Sequence, residues 1–174
     1  MIRILTIALA LLGTSNSLSE DFSGGNADLL TVGRGTTCVQ DGVLRSRDNY
    51  AVFGPQQLRD YTFSFDARAP HDAQQVQIWA GFRHKDRFDH YVVGIKGGTQ
   101  DDVYLMRLGY QGDDDFLGVR PLGFHPEPGR WYHMKVEVCG PRIRVFVGDE
   151  PLPYIDVKDP RSDHCPEGPV FLGG

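Results

Sequence analysis

Val76-Gln77-Ile78-Trp79-Ala80-Gly81-Phe82-Arg83, a charged tip His84-Lys85-Asp86-Arg87-Phe88-Asp89, and His90-Tyr91-Val92-Val93-Gly94-Ile95-Lys96-Gly97 form the stretch on which the reading of this chain turns. Val76, Ile78, Ala80 and Phe82 recur at period two, and so do Tyr91, Val93 and Ile95, so the stretch reads as a hairpin of two half-buried strands facing one core. The opposite face carries Gln77, Trp79, Gly81, Arg83, His90, Val92 and Lys96. Planar, donor-rich and small side chains in that mixture exceed what a merely solvated sheet face requires. That face is the first candidate for a ligand surface.

The same alternation recurs on both sides of the hairpin. Leu58 to Arg68 places Tyr61, Phe63, Phe65 and Ala67 on one face, and 103–110, 131–138, 142–147 and 152–157 are strand-like in turn. Asp41-Gly42 is a strong hairpin signal, and Pro126 to Gly129, Gly140-Pro141 and Gly148-Asp149 supply further turns. Asp113-Asp114-Asp115 reads as a solvated acidic loop. No amphipathic helix pattern appears after residue 19. The expected fold is therefore all-β, a two-sheet antiparallel jelly-roll sandwich.

The chain has 174 residues, 40% hydrophobic and 24% charged, which suits one domain with a substantial core. Its net charge of −5 gives no basic footprint for nucleic acid. At the N-terminus, Arg3, the apolar run Ile4 to Leu12 and the small, polar Gly13 to Ser19 have the pattern of a secretory signal peptide. The run is shorter than the roughly 20 residues of a membrane span, so none is expected. Residues 1–19 are read as the leader, and 20–174 as a domain that is secreted, extracellular or periplasmic.

Three cysteines in such a compartment suggest one disulfide and one free thiol, and three pairings are open. The strand order favours Cys139 with Cys165, since the chain leaves Cys139 through 142–147 and returns through 152–157. Cys38 is then left unpaired. No two cysteines stand at zinc-ligand spacing.

The succession Asp41-Gly42-Val43-Leu44, Tyr61 to Asp66, Gly81-Phe82-Arg83, Asp89 to Val93, Trp131-Tyr132, Gly140 to Val145 and Ile155-Asp156-Val157 resembles the concanavalin A-like, laminin G-like jelly rolls. Within that group it is most similar to family 66 carbohydrate-binding modules and to 3-keto-disaccharide hydrolase-like domains. The resemblance spans most of residues 20–172. It implies a partner that is an oligo- or polysaccharide, and attachment to a downstream catalytic domain. It also implies a last strand beside the first, whereas here only the start of a strand, Pro169 to Leu172, precedes Gly174.

Retaining glycoside hydrolysis needs two carboxyl groups about 5 Å apart. Asp66 stands alone in its strand, and Glu137 is the one carboxylate between Tyr132 and Val147, so no catalytic pair is found. Trp79 is expected to face outward, where an indole stacks on a sugar ring; coverage by a loop is the competing reading. Arg83 matches the resembled family's Phe-Arg position, and its guanidinium could fork onto hydroxyls or a uronic carboxylate; an ion pair with Asp86 or Asp89 competes. His90, Gln77 and Lys96 complete the expected carbohydrate-binding set. The resemblance further implies a structural calcium ion near the terminal strands, with Asp21 and Asp156 as its ligands. The expected function is a non-catalytic carbohydrate-binding module of a secreted glycan-degrading protein. A hydrolase of the 3-keto-disaccharide type and a structural spacer are the alternatives.

Overall fold

The computed structural model describes residues 1–11, 14–24, 30–86, 88–109, 114–162 and 165–173. Strands run over Ile2–Leu11 (β1), Thr14–Glu20 (β2), Leu30–Gln40 (β3), Val43–Phe53 (β4), Tyr61–Ala67 (β5), Gln77–Phe82 (β6) and His90–Lys96 (β7). They continue over Asp102–Leu108 (β8), Asp115–Pro121 (β9), Tyr132–Cys139 (β10), Arg142–Val147 (β11), Ile155–Lys158 (β12) and Val170–Gly173 (β13). No helix occurs among the described residues. Every ladder is antiparallel, as expected from the short turns that join neighbouring strands.

The strands follow one path, β12-β11-β10-β5-β1-β4-β13-β6-β7-β8-β9, with β2 beside β1 and β3 beside β4. Between β1 and β4 the ladder is a single pair, Ile2 with Leu44. The path folds there into two layers, and its ends meet again where Tyr154 Oη donates to the Leu122 carbonyl at 3.2 Å. Gly118 lies against Ile155 at the same seam, where a Cβ would stand 2.7 Å from the isoleucine Cγ2. This is the expected jelly-roll sandwich. Its interior is bridged by aromatic rings, Phe63 of β5 lying 5.5 Å from Phe82 of β6, which stacks on Tyr91 of β7 at 5.1 Å. All three are fully buried, as the alternation in both segments requires.

Ile4 to Leu11, from the run read as the apolar part of a leader, lie in β1. This strand pairs with β5 from Ile2 opposite Ala67 to Leu9 opposite Tyr61, with a register shift between Ile2 and Ile4. Ile and Leu make a segment apolar enough for a leader and equally suit it to a sheet interior. Glu20 pairs with Leu5 in the β1–β2 hairpin. Val170–Gly173 forms β13, with β4 on one side and β6 on the other.

The expected Cys139–Cys165 bridge is not formed, and all three cysteines are free. The loops do approach, since Gly140, Pro141, Ser162 and Pro166 line one cleft. Cys139, however, ends β10 on its outward parity and is exposed, whereas Cys165 is buried in the core. A bond would require one side chain to cross the layer. Burial pushes the Cys165 thiol up to about 11, so it stays protonated and unreactive at neutral pH.

Candidate functional site

β6, β7 and β8 pair with Gln77 opposite Lys96 and Lys96 opposite Asp102. The next row along the strands is Trp79, Gly94, Tyr104 and Val119, and the one after is Gly81, Val92, Met106 and Phe116. Side chains alternate across a strand, so these rows share the outer face while Ala80, Val93 and Leu105 between them are sealed in the core. Over the rows lies a groove of about 560 Å³, whose walls include Gln77, Lys96, Asp102, Tyr104 and Phe116. Neither Lys96 nor Asp102 has an ion-pair partner among the described residues. Phe116, 66% exposed, and Val119, 41% exposed, both line the groove.

Two glycines shape this surface. A Cβ on Gly94 would stand 2.6 Å from the Tyr104 hydroxyl oxygen, so its absence lets the phenol lie across β7 as the groove floor. Burial raises the Tyr104 phenol to about 12, which keeps it a neutral hydrogen-bond donor at physiological pH. On Gly81 a Cβ would overlap the Phe171 ring. That ring therefore covers the β6 end of the face, with Trp79 edge-on at 5.9 Å and His84 and His90 each at 4.8 Å.

The expected site residues thus separate into three places. Gln77 and Lys96 stand in the groove. Trp79 and His90 belong to the Phe171 cluster, with Trp79 half-buried and His90 buried. Arg83 leaves the face altogether. Its φ of 49° breaks the extended geometry at the end of β6, and the side chain turns inward to 2% exposure. There its Nη2 donates to the carbonyls of Arg59 at 3.0 Å and Gly140 at 2.8 Å, and lies 4.0 Å from Asp60 Oδ1. Arg83 is thus a clamp between loops. The ion pair weighed for it with Asp86 or Asp89 is not made either; Lys85 takes Asp89, at 3.7 Å.

Asp21 and Asp156, the expected calcium ligands, are each engaged by groups of the protein. Asp21 Oδ1 accepts from the Ser23 amide at 2.9 Å, a local turn, and both oxygens of Asp156 are held by Arg142 at 2.8 and 2.6 Å. No group of three or more metal-ligating side chains occurs among the described residues.

The outer face of the other layer differs in kind. Glu137 is held by Lys135 at 3.0 Å and Arg144 at 2.6 Å, and Asp66 accepts from His133 at 2.6 Å. Charges that satisfy one another suit a solvated face. The groove, with aromatic rings and unpaired polar groups, suits a ligand.

His84 and His90 are both held below the ordinary histidine pKa, chiefly by burial. The unfolded chain binds these protons more tightly, so stability should be complete above about pH 6.5 and fall as pH drops from there towards the folded-state values. We expect the melting midpoint to decrease between pH 7 and pH 5, and a His90→Phe variant to lose part of that slope. An unchanged slope in calorimetry would remove His90 as a contributor.

No protein-family model and no curated protein matches the chain. Solved structures do. The chain is similar to the carbohydrate-binding module CBM66 from Bacillus subtilis, with a TM-score of 0.63 and 19% identity over 83% of this chain and 86% of that one. A heptameric SAP-like pentraxin from Limulus polyphemus matches with a TM-score of 0.46 and 12% identity, over 99% of this chain and 64% of that chain. A glycosidic hydrolase matches with a TM-score of 0.40 and 12% identity, over 97% and 62%. At such identities the likeness speaks to architecture. The chain has an antiparallel jelly-roll sandwich fold, similar in architecture to the CBM66 module.

Proposed function

We propose that this domain binds an oligo- or polysaccharide, without altering it, in the groove on the outer face of β6, β7, β8 and β9. The carrying observation is the registered row Gln77, Lys96 and Asp102 beside Tyr104 and the exposed Phe116. A sugar ring offers hydroxyls at its edge and C–H groups on its faces, and this row with its aromatic neighbours answers both. Asp102 is the one carboxylate of the groove walls among the described residues, and the neighbouring Asp101 is tied to His125 and the Gly98 amide, whereas hydrolysis needs two carboxyl groups free to act. This favours binding over the hydrolase reading. The likeness to a CBM66 module supports the same choice of ligand class. The role is that of an accessory module in a secreted glycan-degrading protein, keeping its catalytic domain near polymer.

Affinity electrophoresis against starch, β-glucan, xylan, mannan, inulin and polygalacturonate tests the reading. At least one gel should retard the protein, and Phe116→Ala and Gln77→Ala should each weaken that retardation about tenfold, ~1.4 kcal/mol. Both positions are exposed, so the fold should survive. Retardation by none of these polymers, or equal retardation of wild type and both variants, would overturn the proposal.

A further inference from the structure

The groove does not end at Asp102. A second recess, of about 520 Å³, opens beyond the β7–β8 turn, and Gln100 and Asp102 line both. At its far side stands Phe124, 37% exposed and stacked on Tyr132 at 6.0 Å with 7° between the rings. The two recesses therefore make one path, with Phe116 at one end, Phe124 at the other and a polar middle of Gln100, Lys96 and Asp102.

The path is held rigid where it turns. The Leu122 amide donates to the Asp101 carbonyl at 2.8 Å, Asp101 Oδ1 accepts from the Gly98 amide at 3.2 Å, and His125 Nδ1 lies 3.0 Å from Asp101 Oδ2. His125 and the Gly98 amide hold the Asp101 carboxyl below its usual range, so it stays ionised. Asp101, held by His125, and Asp102 bring two carboxylates to the path, and among the described residues Lys96 is the one lysine or arginine that lines it, a balance that discourages an anionic ligand.

Resting on the proposed glycan-binding role, we propose that the site takes an internal stretch of an uncharged polysaccharide, several sugars long, laid from Phe116 to Phe124, rather than a chain end. Two separated aromatic rings joined by polar groups give each added sugar new contacts until the path is full. The shared residues Gln100 and Asp102 sit under the middle of the chain.

The test uses the full chain and oligosaccharides of two to eight units made by partial hydrolysis of whichever polymer retards it. Calorimetry should show affinity rising at least about tenfold from the dimer to the longest oligomer, and borohydride reduction of the reducing end should leave it unchanged. Phe124→Ala should remove most of the gain with length while leaving dimer binding alone. Should that variant fail to fold, the length series on the wild-type chain decides by itself. Equal affinity for dimer and octamer, loss of binding on end reduction, or tighter binding of polygalacturonate than of every neutral polymer would overturn this inference while leaving glycan binding standing. Absence of binding to any polymer would instead overturn the parent proposal.

Discussion

Arg83→Met is expected to lower the melting midpoint by about 6–12 °C while leaving glycan affinity, measured well below that midpoint, within twofold of wild type. The guanidinium is a buried donor to Arg59 and Gly140, and its loss leaves two carbonyls without it. Hydrogen bonds from a charged donor are worth about 1.5–3 kcal/mol each. Nε and Nη1 have no partner, so their removal offsets part of the loss, for a net of about 3 kcal/mol. In a domain of this size each kcal/mol shifts the midpoint by about 2–4 °C. The result separates clamp from binding residue. A variant that melts like wild type yet loses the glycan would return Arg83 to the ligand.

A chain beginning at Glu20 is expected to lose more. Without β1 the Ile2 to Leu9 ladder disappears and β5 presents a free edge over seven paired positions, Tyr61 to Ala67. Ile2, 5% exposed, no longer covers its part of the core. An unpaired edge next to apolar surface favours association. Calorimetry and light scattering at several concentrations should show a midpoint lower than that of the full chain and growing mass. Equal midpoints with a monomer throughout would show that the sandwich closes without this strand. The same measurement on exported protein, with its N-terminus sequenced, tells whether the leader reading of residues 1–19 applies.

Period-two patterning carried most of the architecture because each strand buries one face. Phe63, Phe82 and Tyr91 could be assigned to the core from spacing alone, and they are fully buried. The outward set was legible for Gln77 and Lys96 by the same rule. It failed at Arg83, where a single left-handed residue at the strand end reverses the parity, a local backbone event that composition does not announce. Tyr104 and Asp102 were available to the rule, since they alternate with Val103 and Leu105, but their neighbourhood depends on which strand pairs with β7. Phe116 lay in a segment without clear alternation, and its register shifts between Leu105 and Met106. The cysteine expectation had the loops right and the side-chain directions wrong, because strand order fixes proximity but not parity.

Amide chemical-shift mapping tests the central claim most directly. On addition of an oligosaccharide from the retained polymer, the account predicts shifts at Gln77, Lys96, Asp102, Tyr104, Phe116 and Phe124, with Arg83, Glu137 and Arg144 unmoved. Shifts confined to Glu137, Arg144 and their neighbours on the charge-laced layer, with the groove silent, would contradict it.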